Sequence, residues 1–564
     1  MGDAGKLKLL FTGVCLASIA HAEPALAPTF AHDIAPIVYQ YCAPCHHPEG
    51  AGPFPLLSYK GVKKHARQIA DVTRSRYMPP WLPEPGFGDF AGERRLSDAQ
   101  IRTIQEWVRR QAPQGPTNEI PPAPRFADGW QLGIPDLVLK ASRPFSLPAS
   151  GPDVFWNFIL SPDIKKRRYV RAIEIRPGSR RLIHHANLLI DRTRSLRTRE
   201  PTPGAGFPGM ELTIERSVFD LESHFLFWKP GSLPYVEPDG FSWILDPGND
   251  LVLNTHLQPS GKQELEQPSV GLYFTDKPPT HFPLLLQLEH DGALNIPAGD
   301  RDFAVSDDFR LPLDVNVLAV YPHAHYLGKL LEGYAILPDG SRKWLVRIPN
   351  WDLNWQAVYR YRKPVFLPKG SVISMRFHYD NSADNPRNPN QPPKRVRSGN
   401  RASDEMGHLW LQVLPCGAGD RRRELAEAWM RHQVEKYPND FSANLGLGAL
   451  ALARLDAAGA ASALGVAVRA KPEDPIAHNL FGAALQTLGR SPEALDQFRI
   501  AVREKPGFVN ARYNLAHALV KSGKLDEAIE NLREIVAAYP NDQAARDYLA
   551  QAVAARSRLA SENK

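Results

Sequence analysis

The strongest constraint on what this chain can fold into is a period. Pro438, Pro472, Pro506 and Pro540 follow one another at intervals of 34 residues. Between them lie paired helical stretches rich in small residues, such as Asn514-Leu515-Ala516-His517-Ala518-Leu519 followed by Gly523-Lys524-Leu525-Asp526-Glu527-Ala528. A helix pair of that size cannot bury its apolar face alone, so successive pairs must stack. The period predicts an α-helical solenoid over 424–560. The chain has 564 residues, too many for one core, so the rest divides into several further domains.

The two ends differ in kind. Residues 1–22 read as a secretory signal: Lys6 and Lys8 give the positive end, Leu9 to Ala20 the short apolar run, and Ala20-His21-Ala22 the cleavage site. That run is too short to span a bilayer, and no later stretch reaches the length needed. The expected location is therefore periplasmic or secreted, with no membrane span. A charged fraction of 23% and a hydrophobic fraction of 43% describe globular material. The net charge of +7 comes without a basic run interleaved with aromatics, which argues against nucleic-acid binding.

Of the four cysteines, Cys15 lies in the signal and Cys416 is left over. The remaining pair forms Cys42-Ala43-Pro44-Cys45-His46, the C-x-x-C-H spacing in which two thioethers hold a haem and the histidine ligates its iron. Zinc is the competing reading, and a second thiol pair to complete a tetrahedron is lacking. Met78, in Arg76-Tyr77-Met78-Pro79-Pro80-Trp81, is the candidate sixth ligand. Core packing of Met78, His65 as ligand, and an open sixth position are the alternatives. Further on, Leu96-Ser97-Asp98-Ala99-Gln100-Ile101 opens a helix with Ile101, Ile104 and Trp107 on one face. Residues 30–112 resemble a small class I cytochrome c, with a shorter methionine spacing than many. A Pro-rich linker follows over 113–134.

Between about 135 and 418 the texture turns to short alternating segments, including Leu251–His256, Val315–Val320 and Ser371–Phe377, punctuated by Gly and Pro. These predict two all-β sandwiches, 135–285 and 286–418. Histidines cluster in them: His184-His185, His256, and His323-Ala324-His325. Residues i and i+2 of a strand share a face, so His323 and His325 can converge on one ion. His184 and His185 can do so only through a bulge or a strand end.

The words around these histidines resemble the copper type II, ascorbate-dependent monooxygenases, the family of peptidylglycine α-hydroxylating monooxygenase and dopamine β-monooxygenase. The resemblance rests on Ile183-His184-His185-Ala186-Asn187-Leu188-Leu189, on Leu251-Val252-Leu253-Asn254-Thr255-His256, on Tyr321-Pro322-His323-Ala324-His325-Tyr326-Leu327-Gly328-Lys329, and on Ser403-Asp404-Glu405-Met406. It spans about 140–415 and implies two jelly-roll sandwiches carrying two copper ions. His184, His185 and His256 would hold the electron-transfer copper. His323, His325 and Met406 would hold the catalytic one, where a thioether favours Cu(I), the form that meets O2. His378 stands outside the set, as a supporting or structural residue. The chain departs from the animal enzymes in lacking their disulfides. It also places Tyr321 two residues before the H-x-H, where the peptide hydroxylase has a basic residue, and Trp410 where it has a tyrosine, so a glycine-extended peptide substrate is not implied.

The helical period resembles the tetratricopeptide repeat over roughly 425–560, which implies a docking surface for a protein partner. The combined expectation is an exported monooxygenase that hydroxylates a C–H bond of an organic substrate with O2. Electrons would come from ascorbate or a redox protein, relayed by one covalently bound haem c. The alternative is a non-catalytic copper and haem protein, handling electrons or copper, with the same docking module.

Overall fold

The computed structural model describes Gly2 and residues 27–48, 50–127, 129–179, 182–210, 212, 214, 221–401 and 403–562. The expected signal at 1–22 lies outside them, Gly2 apart. The described chain divides into two units. The smaller takes the residues up to Pro80 together with Arg94–Phe126, and the larger takes Trp81–Glu93 and everything from Ala127 onward.

The smaller unit is helical, with helices Ala35–Tyr41, Tyr59–Lys64, Ala66–Arg74 and Asp98–Arg109. The last begins at a capping box: the Ser97 hydroxyl accepts the Gln100 N–H, and the Gln100 side chain accepts the Ser97 N–H at 2.8 Å. Ile104 and Trp107 from this helix are buried against Phe30, Ile34 and Val38, while Ile101 is half-buried at the edge of the same core. Trp107 keeps its indole N–H satisfied on the Pro113 carbonyl at 2.9 Å.

Residues 81–93, read from sequence as part of the 30–112 segment, group with the larger unit instead. The cause is aromatic burial: Phe90 is 3% exposed and lies 5.0 Å from Tyr361 and 5.5 Å from Tyr359, inside the second sandwich's core. Glu84 is anchored there too, on the Arg347 guanidinium.

Two antiparallel sandwiches fill the first part of the larger unit. In the first, strands Leu137–Lys140, Ser269–Thr275, Arg168–Arg176 and Trp243–Leu245 form one sheet. Phe207–Pro208, Val154–Leu160, Asp250–Leu257, Ile183–Asp191 and Phe227–Trp228 form the other. Val170, Ile175 and Leu272 meet Phe158, Leu188 and Leu253 between them. In the second, Leu284–Glu289, Gly407–Pro415, Val315–Ala324 and Tyr359–Leu367 oppose Phe303–Arg310, Val372–Tyr379, Gly328–Ile336 and Arg342–Ile348. Alternation explains what each sheet shows outward. Val315, Val317, Leu409 and Leu411 point into the core, leaving Tyr321, His323 and His408 on the opposite face. Residues 221–228 of the first sandwich cover that face: Phe225 and Phe227 pack on Tyr321 at 6.1 and 5.3 Å, and Gln412 donates to the Ser223 carbonyl at 2.8 Å.

From Arg422 the described chain is helical: Arg422–Lys436, Phe441–Ala453, Ala457–Ala470, Pro475–Thr487, Ser491–Glu504, Val509–Lys521, Leu525–Ala538 and Gln543–Glu562. The period is visible in the packing. Gly448, Gly482 and Ala516 recur at one position, and Leu464, Phe498 and Leu532 at another, all three of the latter fully buried. A β-carbon on Gly448 would lie 2.4 Å from Leu464, and one on Gly482 would lie 2.6 Å from Phe498. Small residues there let the two helices of a pair close up. Asp440 and Asp474 cap the first helices of two pairs and Asp542 caps the last described helix, each accepting the backbone N–H three residues on.

Candidate metal centres

Strand Ile183–Asp191 pairs with Asp250–Leu257 in a register that shifts once. Ile183 faces Leu257 and His185 faces His256, so His184 is the extra residue of a bulge. The bulge turns two adjacent imidazoles toward a third that faces them across the ladder. Ring centroids stand 5.4, 5.2 and 5.0 Å apart, and Nδ1 of His184 is 3.2 Å from Nδ1 of His185. One ring nitrogen from each of the three lies within 4.8 Å of the other two.

The protonation of this trio follows from its surroundings. His256 Nε2 hydrogen-bonds Asp153 at 2.8 Å, which leaves Nδ1 buried with no hydrogen-bond partner. A buried ring nitrogen is costly in that state unless something occupies the space it faces. Burial first, and the neighbouring His256 second, push His184 down to about 4; burial holds His185 well below the usual imidazole range. His184 and His185 are therefore neutral donors at ordinary pH, the form a cation requires.

The second group sits at the start of the Gly407–Pro415 strand and the end of Val315–Ala324. His323 and His325 share a face, with ring centroids 5.3 Å apart. His323 Nδ1 bonds the Gln356 side-chain oxygen at 2.8 Å and His325 Nδ1 bonds the Asp404 carbonyl at 3.0 Å. Both partners are acceptors, so each Nδ1 carries the proton and each Nε2 keeps its lone pair. Burial holds both imidazoles below their usual range. Met406, 8% exposed, precedes Gly407, which pairs with Ala324, and so lies alongside His325. Glu405 ties the two together: its buried carboxyl accepts the N–H of His325, of Met406 (2.9 Å) and of Leu327 (2.9 Å). The Tyr379 hydroxyl donates to the Met406 carbonyl at 2.9 Å.

The two groups face each other. Phe227 lies 5.8 Å from His185 and 5.3 Å from Tyr321, and Tyr321 lies 6.0 Å from His323. One short turn, Leu353–Trp355, touches both: Asn354 hydrogen-bonds His184, while the adjoining Gln356 holds His323 and accepts the Tyr321 hydroxyl at 2.6 Å. His378 sits elsewhere, on Asp302 at 3.2 Å. Cys416 accepts from Asn316 at the far end of the strand.

In the smaller unit, Cys42 and Cys45 are free thiols in the turn after helix Ala35–Tyr41, where Cys45 and His46 donate their N–H groups to the Cys42 carbonyl. Burial pushes Cys42 up to about 12. His46 Nδ1 bonds the Phe54 carbonyl at 3.0 Å, which leaves Nε2 as the free lone pair, the arrangement an axial ligand needs. His65 stacks on Phe54, their ring centroids 3.6 Å apart. Met78 follows helix Ala66–Arg74 and is pinned by its N–H to the Val72 carbonyl at 3.1 Å.

Asp153, Gln356, Glu405 and His408 carry no spacing that singles them out in sequence. Asp153 and Gln356 come from loops over 30 residues from the nearest histidine they support. Glu405 was the findable one: an acidic residue directly before the methionine, in a stretch with little other reason to be buried.

Comparison with known proteins bears on the helical region. The tetratricopeptide repeat family models match residues 445–507 and 485–552. Among solved structures, MamA is similar at 19% identity and TM-score 0.23 in two crystal structures, each covering 24% of this chain and 82% or 74% of that one. YrrB, described as a TPR protein with an unusual peptide-binding site, is similar at 22% identity and TM-score 0.23, covering 24% of this chain and 70% of that one. No curated protein matches. The chain therefore carries tetratricopeptide repeats at its C-terminal end, a protein-interaction module, behind a large β-rich region. Among the described residues no helix is long and apolar enough to cross a membrane.

Proposed function

We propose that this chain is an exported, copper-dependent monooxygenase that hydroxylates a C–H bond of an organic substrate. The observation that carries the reading is the bulge-built trio of imidazoles, with the orphaned Nδ1 of His256 among them, beside a second pair whose Nε2 lone pairs are left free. His184, His185 and His256 offer nitrogen alone, which suits copper in either oxidation state. His323, His325 and Met406 offer nitrogen and sulfur, which favours Cu(I). Bound copper supplies one-electron storage and oxygen activation. The reaction balances as C–H plus O2, two electrons and two protons giving C–OH and water, so a reductant must deliver electrons one at a time.

The chain's own residues do the rest. Asp153, Gln356 and the Asp404 carbonyl fix each imidazole's tautomer and aim. Phe225, Phe227 and Tyr321 place packed aromatic rings beside the two groups. Cys42 and Cys45 would hold a haem through thioethers, with His46 and Met78 or His65 as its candidate ligands, and it would supply one-electron transfer. Ascorbate or a redox protein would refill it, and the repeats would dock a protein partner.

A second reading is favoured by one observation. The space between the two groups holds packed aromatic rings, which fits electron passage as well as it fits a reaction chamber. Metal and haem analysis of the periplasmically matured protein, followed by O2 uptake with reductant, separates the readings. Two coppers and one haem per chain with reductant-dependent uptake on a substrate panel support the monooxygenase. Full loading without uptake supports the electron carrier. Absence of copper overturns both.

A further inference from the structure

The first helix of the repeat region does more than dock. Leu425, Ala426 and Met430 already bury it in the second sandwich's core, and Trp429 donates to the Gln287 carbonyl at 2.8 Å. Apolar packing therefore suffices to hold it. Yet its C-terminal turn also places charge inside the protein: Lys436, nearly buried, meets Asp307 at 2.8 Å and Glu289 at 3.1 Å, and His432 meets Asp307 at 2.7 Å. Buried ion pairs add little net stability because desolvation offsets their attraction, so their placement needs another reason.

The network runs onward from the helix. The Tyr437 hydroxyl donates to Glu289 at 2.9 Å and accepts the Gly292 N–H at 3.1 Å. The other side of the same carboxylate oxygen accepts the Asp291 N–H at 2.8 Å. Asp291 in turn holds His408 Nε2 at 3.1 Å. His408 pairs with His323 across the ladder, their ring centroids 6.2 Å apart. We infer that His408 is a positioning residue for His323, and that helix Arg422–Lys436 sets its aim through Tyr437, Glu289 and Asp291. The inference rests on the proposed second metal group, which it extends into the repeat region.

The test uses full-length protein with 15N-labelled histidine, read by NMR without metal and by Cu(II) EPR after titration with copper alone, on a His256→Ala background that removes the first group. Tyr437→Phe and Asp291→Asn should shift the ring signals of both His408 and His323. They should also weaken copper at the second group about 10-fold or more and change its hyperfine splitting, as loss of a supporting hydrogen bond does. Trp429→Phe, which touches the same helix off the network, should move neither. Unmoved His323 signals in both network variants, or equal shifts from Trp429→Phe, overturn the inference. Shifts of that pattern with no copper signal support it while overturning the metal reading alone.

Discussion

Asp153 and His256 are joined at 2.8 Å through Nε2, and that one bond decides what His256 can offer. With Nε2 engaged, Nδ1 is the only nitrogen left to face His184 and His185. The carboxylate also makes the ring more basic toward a cation, as a ligand's hydrogen-bond partner does. Asp153→Ala should therefore weaken copper binding at the three-histidine group by about 10- to 100-fold. Competition titration against a chelator measures it, and the affinity of the His323 group serves as the internal control. Equal affinity in variant and parent would show that the ring needs no such anchor.

The depressed imidazoles make the copper-free protein acid-sensitive. Between about pH 4, where folded His184 titrates, and pH 6.5, where an unfolded imidazole does, the unfolded chain binds more protons. Stability from this residue thus rises with pH across that window and is lost as pH falls, by ~2 kcal/mol between pH 7 and 5. Glu237 and Glu266, pushed up to about 7 by burial, tilt the profile the other way. The imidazole contribution is accordingly read as a difference: His184→Gln should lose less stability than the parent on going from pH 7 to 5. Denaturant melts at the two values check it, and parallel losses in both proteins would contradict it.

Gly52 gives a sharper handle on the cysteine-bearing unit. A β-carbon there would fall 2.6 Å from His46 Nδ1, so alanine must push the ring off the Phe54 carbonyl. In Gly52→Ala the two thioethers can still form, because they depend on Cys42 and Cys45. The axial nitrogen, however, loses its aim. Haem should stay covalently attached while its absorption shifts toward a high-spin form. A low-spin spectrum identical to the parent's would mean that His46 does not ligate in the assumed orientation.

Legibility from sequence followed the range of the interactions. The repeats are readable because the prolines recur every 34 residues with helix pairs rich in small residues between them, so the same local physics repeats. That His323 and His325 share a face is readable from strand periodicity, while His184 and His185 can converge only through a bulge, which the shift at His184 supplies. What sequence hid was long-range. Gln356 reaches His323 from a turn whose position depends on both sandwiches, and Phe90 leaves its neighbours in sequence for a core built from Tyr359 and Tyr361. Neither follows from pattern, since in each case the partner is chosen by packing.

Glu405 is where support of the second group and stability of the sandwich meet. Its carboxyl is buried, pushed up to about 8 by that burial, and satisfies the N–H groups of His325, Leu327 and Met406. Glu405→Ala leaves three buried donors without acceptors, each worth about 1–3 kcal/mol, and should cost on the order of 5 kcal/mol. That is a large share of what a domain has to spend. Glu405→Gln keeps the volume but can accept through one oxygen only, and turns an NH2 toward backbone N–H groups, so it should fall between the two. If the backbone at His325 and Met406 is what the carboxyl holds, the glutamine variant will lose copper at the His323 group at temperatures where its sandwich is still folded. Circular dichroism melts run beside copper titrations resolve the order, and coincident loss would mean that Glu405 serves the fold alone.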